Sequence, residues 1–174
     1  MAQRDSGRKR LKHDRYETPE WVIDCVVPHL KIDKRTMIHE PAAGSGKMVR
    51  ALRRHGYRVS SGDITRGRDF LSKVRDYPVI VTNPPYSHAQ EFVEHALSCT
   101  CQDMGVVALL LRVDFDSAKT RAHLFADHPA FSKKIVLTQR IRWIENSTGS
   151  PSENHAWFIW RWRNQNPPQI GYAP

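Results

Sequence analysis

Apolar positions recur at three- and four-residue intervals from residue 20 onward. Trp21, Val22, Cys25, Val26 and Leu30 fall on one side of a helix. Thr18-Pro19 stands just before it, a residue able to cap a helix followed by one whose fixed φ suits a first turn. Residues 36–40 are short and strand-like. Residues 47–55 return to helical spacing, with Met48, Val49 and Leu52 on one face and Gly56 as the stop. A second strand is predicted over 57–60, closed by Gly62-Asp63. Residues 78–82 are nearly all apolar or β-branched, as a strand buried on both faces requires. The pattern then predicts a helix over 89–97, a buried strand over 105–113, a helix over 117–126 and a strand over 134–138. A polar loop over 147–154 leads to a last strand over 155–162 (HAWFIWRW).

Strand and helix alternate through most of the chain. That order predicts an α/β fold, a parallel sheet covered by helices on both faces. The periodic region spans residues 16–165. A polar, basic arm precedes it (residues 1–15, with Arg4, Arg8, Lys9, Arg10, Lys12 and Arg15), and a Pro-rich tail over 166–174 follows. The arm lacks apolar periodicity and reads as flexible, either a phosphate-contacting tail or a terminus with no role. No internal repeat and no second domain are visible.

Charge sharpens the picture. Twenty-seven Lys and Arg against 18 Asp and Glu leave a net charge of +9, which suits a polyanionic partner, because cationic side chains displace the counterions condensed on nucleic acid. The longest apolar run, 106–111, is far short of a membrane span, and no apolar stretch follows the basic start as in a secretory signal. A soluble cytoplasmic protein is the expectation. Cys25, Cys99 and Cys101 form no disulfide framework, and the C-x-C spacing is not that of a zinc site. No metal is expected.

In a doubly wound sheet, ligands bind beyond the carboxyl ends of the strands, and the unusual residues fall there. Gly44 and Gly46 follow the first strand. They allow either close backbone approach to a ligand or tight strand–helix packing, and the next helix would aim free N–H groups at the site. The turn is neither a phosphate loop nor G-x-G-x-x-G, since Met48 follows Lys47 and Val49 stands where a third Gly would be. Glu40, just before it, can attract a cationic group such as an ammonium. Asp63 ends the second strand, where an acid accepts bonds from ribose hydroxyls or simply caps a turn. Asp69-Phe70 offers an acceptor for an adenine amine beside a packing ring, or a turn Asp and a core Phe. Asn83-Pro84-Pro85-Tyr86 is the most specific feature. Its prolines fix the backbone and remove two N–H donors. The Asn83 side-chain oxygen and the Pro84 carbonyl remain to take the two hydrogens of a substrate amine, and Tyr86 presents a face for a planar base.

Taken together, these residues resemble the amino-methyltransferases of the class I S-adenosylmethionine-dependent superfamily, most of all the DNA adenine-N6 group. The resemblance covers residues 16–162. Glu40-Pro41-Ala42-Ala43-Gly44-Ser45-Gly46 resembles the cofactor motif D/E-P-A/F-A/C/x-G-x-G. Asn83-Pro84-Pro85-Tyr86 resembles the catalytic motif D/N/S-P-P-Y/F/W, and Tyr16-x-Thr18-Pro19 the N-terminal element that helps hold the cofactor's methionine end. The resemblance implies a Rossmann-like sheet, mostly parallel with a C-terminal antiparallel strand, and S-adenosylmethionine as cofactor. It places Tyr16, Thr18, Pro19, Glu40, Pro41, Ala42, Gly44, Gly46 and Asn83 at the cofactor. Asp63 with Ile64 falls at the ribose, and Asp69 with Phe70 at the cofactor adenine.

The implied reaction is direct methyl transfer to the N6 amine of an adenine swung out of the DNA stack. Amines of RNA adenine or guanine, or of a protein glutamine, are the alternatives, as is a non-catalytic nucleic-acid-binding module on the same fold. Two departures stand out. The family's third strand would fall between Phe70 and Tyr77, where room is short. No segment of these residues reads as a separate target-recognition domain, so none is expected. Contact with DNA, or with RNA, would then rest on the arm (Arg8, Lys9, Arg10, Lys12), the loop 85–89, and Arg140, Arg142 and Trp143; a surface loop with Trp143 packed on the sheet is the other reading of that last stretch. A monomer and a homodimer are both compatible with the pattern, and the small size suits a stand-alone prokaryotic or phage enzyme.

Overall fold

A computed structural model describes residues 17–143 and 151–174. The element order is α1 (Glu20–Leu30), β1 (Met37–Glu40), α2 (Lys47–Arg54), β2 (Arg58–Ser61), β3 (Val79–Thr82), α3 (Ala89–Ser98), β4 (Val106–Arg112), β5 (Phe131–Leu137), β6 (His155–Arg161) and β7 (Gln169–Ala173). The seven strands form one sheet in the order β2-β1-β3-β4-β6-β5-β7. β2, β1, β3 and β4 run parallel, β6 is antiparallel to both β4 and β5, and β7 pairs parallel with β5. The mostly parallel sheet with an antiparallel C-terminal strand is the arrangement the sequence implied.

The alternation along β4 shows how the layers close. Val106, Ala108 and Leu110 join α1 and α2 in one core, and Val107, Leu109 and Leu111 join α3 in the other. Burial on both faces explains why β3 and β4 are continuous apolar runs. Two side chains of β6 tie it to α1. Trp157 donates its indole N–H to the Val22 carbonyl at 2.8 Å, and Arg161 donates to the terminal carbonyls of His29 and Leu30, groups a helix end leaves unpaired. Trp157→Phe is expected to cost about 2 kcal/mol, one buried hydrogen bond plus lost packing, measurable as a lower urea midpoint at unchanged slope.

Three expectations change. Residues 117–126 form no α-helix; 3-10 turns over Phe115–Ser117 and Lys119–Leu124 stand there, closed by bonds such as Arg121 N–H to Ala118 O and Phe125 N–H to Ala122 O. Asp114, Asp116 and Ser117 open this stretch, residue types whose side chains compete with helical backbone bonding. The tail read over 166–174 carries β7, whose backbone completes the sheet beside β5. The alternation there is too polar to announce a strand, because an edge strand buries little. At α1, Pro19 occupies the cap and makes no side-chain cap bond, while Thr18 is buried. The short third strand is absent among the described residues: β2 passes to β3 through 3-10 turns at Ile64–Arg66 and Phe70–Ser72. No helix among the described residues is long and apolar enough to cross a membrane.

Candidate active site

The carboxyl ends of β1, β2 and β3 open on a cavity of about 570 Å³, a size suited to a nucleoside-sized ligand. Thr18, Glu40, Pro41, Ala42, Gly44, Asp63, Ile64, Asp69, Phe70, Asn83 and Pro85 all line it. Pro19, Gly46, Pro84 and Tyr86 stand outside its lining. Tyr16, Arg8, Lys9, Arg10 and Lys12 lie outside the described residues.

β1 delivers Glu40 to the floor. The carboxyl group is 1% exposed, and its Oε1 accepts from the Ala42 amide at 2.9 Å and the Thr82 hydroxyl at 2.6 Å. Thr82 precedes Asn83, so this bond joins the Gly-rich turn to the Asn-Pro-Pro-Tyr turn. Both bonds fall on Oε1, which leaves Oε2 for a ligand. Burial pushes the Glu40 carboxyl up to about 8, against the pull of its two hydrogen bonds, and the nearby Asp63 charge adds to the rise.

The turn after β1 bends through both of its glycines. Gly44 sits at φ 51 and Gly46 at φ 85, both in the left-handed region. A Cβ at Gly44 would meet nothing within 4 Å, so protein packing does not demand glycine there; the backbone conformation does. Asp63 braces this turn from β2. Its Oδ2 accepts from the Gly44 amide at 2.7 Å, and its Oδ1 from the Thr65 amide at 2.9 Å and the Thr65 hydroxyl. Ile64 is 60% exposed beside it, an apolar side chain that a flat ligand would cover. Asp69 is exposed at the rim and accepts from the Leu71 amide at 3.0 Å. Phe70 is buried against Phe92, with ring centroids 5.3 Å apart. Each of the two is thus both a turn or core residue and a wall of the cavity.

β3 ends in the rigid turn. Asn83 is half-buried, with its side-chain oxygen shielded from solvent. Behind it stands an aromatic cluster: Tyr86 stacks on His155 at 5.6 Å and 25°, and Trp143 meets His155 edge-on at 5.2 Å and Tyr86 at 6.3 Å. Trp143 therefore packs beside the Asn-Pro-Pro-Tyr turn and on the sheet. Arg140 holds its own loop, donating to Asn154 Oδ1 at 2.8 Å and to the Pro151 carbonyl at 3.1 Å, while Arg142 is exposed. His155 is 1% exposed, and neither ring nitrogen makes a well-formed hydrogen bond; burial first and the Arg112 charge second hold the ring neutral, down to about 4, the Glu153 backbone opposing only weakly.

Sequence reasoning missed Met48, Leu71, Phe92 and the His88–Glu91 pair at the cavity, Thr82 bonded to Glu40, and His155 behind Tyr86. Phe92 carried no signal beyond α3 periodicity. Position 82 was legible as a strand end, but not its partner 42 residues away.

No protein-family model matches the sequence, and no curated protein does. Solved structures do resemble the fold. A Listeria monocytogenes protein ascribed to the class I S-adenosylmethionine-dependent methyltransferases superposes with a TM-score of 0.60 at 13% identity, over 87% of this chain and 62% of that one. The 23S rRNA methyltransferase ErmE gives 0.57 at 15%, over 86% and 70%. A modification subunit ascribed to a type I restriction enzyme of Vibrio vulnificus gives 0.59 at 13%, over 85% and 44%. The chain thus spans under two thirds of the Listeria protein and under half of the Vibrio subunit. At these identities the likeness is one of architecture, and the chain has the Rossmann-like fold of class I methyltransferases.

Proposed function

We propose that this protein methylates the exocyclic N6 amine of adenine in DNA with S-adenosylmethionine as donor. The observation that supports it most is the meeting of Glu40 and Asn83 in one cavity, joined through Thr82. The cavity suits the cofactor's groups in order. Glu40 faces a cationic ammonium, the open Gly44 lets the backbone approach, Asp63 lines the wall where ribose hydroxyls would lie, and Ile64 and Phe70 flank a flat base near Asp69.

When bound, the cofactor supplies an electrophilic methyl group. The chain's part is positioning. Asn83 Oδ1 and the Pro84 carbonyl accept the two amine hydrogens, which turns the nitrogen lone pair toward the methyl carbon. Tyr86, held flat against His155, offers its other face to the base. As the nitrogen–carbon bond forms, positive charge grows on nitrogen and the same two oxygens stabilise it. The extra proton leaves to water, so no strong base is needed.

The test is incubation with radiolabelled cofactor and duplex DNA, RNA or a protein pool, followed by mass spectrometry of the nucleosides. Label in N6-methyladenine from DNA is expected. Label confined to RNA or to protein would overturn the substrate, and no transfer to any of the three would overturn the reaction.

A further inference from the structure

The charge of this chain is not spread evenly. Residues 50–75 hold eight Lys and Arg against two acids, whereas residues 76–174 hold nine of each. The eight cations are exposed and gather around one edge of the sheet. Arg50, Arg53 and Arg54 lie on α2, which packs on β2, and Arg58 stands on β2, the edge strand. Arg66, Arg68, Lys73 and Arg75 follow on the connection between β2 and β3. Neither acid in the stretch offsets them outward: Asp63 is buried, and Asp69 caps its own turn.

Three features make this edge suit a phosphate backbone. Seven of the eight cations are Arg, whose planar fork matches phosphate oxygens in pairs. Arg58, Lys73 and Arg75 form no ion pair with an acid among the described residues, so their charge faces outward. Arg66 and Arg68 line the same cavity as Asn83, so the basic edge runs without a break into the candidate active site. Arg50, Arg53, Arg66 and Arg68 each donate to a nearby backbone carbonyl and Arg54 pairs with Glu20 of α1, so Arg58, Lys73 and Arg75 are the cations of this edge with no such bond or pair among the described residues.

We propose that the β2 edge, from α2 through Arg58 to Arg75, is the docking surface for the duplex DNA that flanks the target base. The proposal rests on the reading of the cavity given above for its choice of DNA. Each phosphate neutralised releases counterions, so the affinity of such a surface falls steeply with salt.

The test is binding of a fluorescent duplex of mixed sequence to the full chain, without cofactor, from 50 to 200 mM salt. The triple variant Arg58→Gln, Lys73→Gln, Arg75→Gln should bind roughly tenfold or more weakly at 100 mM salt, with the slope of log K against log salt flatter by about 2.7 for three lost phosphate contacts. The double variant Lys119→Gln, Arg163→Gln on the far half should match wild type in both. Equal affinity and slope for the triple variant would overturn the docking surface. So would a preference of the wild type, lost in the triple variant, for an RNA hairpin or for phosphatidylserine vesicles over DNA. The two readings fail separately: weaker DNA binding by the triple variant with no methyl transfer keeps the surface and sinks the chemistry, and N6-methylation with unchanged binding does the reverse.

Discussion

Asn83→Ala is expected to lower methyl transfer by about 10²–10³-fold or more while cofactor affinity stays nearly unchanged. The side chain lines the cavity where the rigid turn meets it, and in the proposed mechanism its oxygen is one of two acceptors that aim the amine. Removing one preorganised polar contact at a developing charge has costs of this size in other enzymes. Asn83→Asp retains an acceptor oxygen at the same reach and should keep far more activity than Asn83→Ala, a contrast that a general packing role would not produce. Single-turnover rates with labelled cofactor, beside cofactor titration by calorimetry, give both numbers. Wild-type turnover in Asn83→Ala would remove the acceptor mechanism.

Glu40→Gln should separate stability from binding in opposite directions. Burial holds the folded carboxyl near 8, well above its ordinary value of 4.5. A group raised on folding contributes stability that is complete below its unfolded pKa and lost as pH climbs through the folded one. The ligand-free protein should therefore lose stability between pH 5 and pH 8 on this account, and Glu40→Gln, which cannot ionise, should not. At pH 9 the variant is expected to unfold at higher temperature than wild type. Yet the ionised form is the one an ammonium favours, so the variant should bind S-adenosylmethionine at least about 100-fold more weakly, the cost of leaving a buried charge unpaired. In the wild type, affinity should rise roughly tenfold per pH unit from pH 6 toward the Glu40 value near 8, with a proton released on binding. Wild-type affinity flat from pH 6 to pH 8, or a variant less stable than wild type at pH 9, would sink this account.

The parts of the fold that read clearly are those with buried periodicity. β3 and β4 are apolar on both faces because they lie mid-sheet, and α2 and α3 each show one apolar side because one side is covered. What failed to read is local structure with little burial. β7 alternates weakly because it is an edge, and residues 117–126 look periodic enough for a helix, but 3-10 turns over 115–117 and 119–124 stand there, around their Asp and Ser. At the site, Gly44, Asp63 and Asn83 were legible because their chemistry is unusual for a strand end. His155 was not: in HAWFIWRW it reads as one more position of a buried strand, and only the antiparallel pairing of β6 with β4 brings it behind Tyr86.

The amino-acid order alone determined that strands and helices alternate, that acids and glycines cluster after the first two strands, and that a rigid acceptor turn follows the third. These depend on spacing along the chain, which periodic burial and proline geometry express directly. Only the tertiary structure decided that Glu40 and Thr82 bond across two strands, that Asp63 holds the Gly44 turn, and that scattered arginines share one edge. Those facts depend on strand order and register. Many sequence separations are compatible with the same local pattern, and the packing of both sheet faces selects one of them.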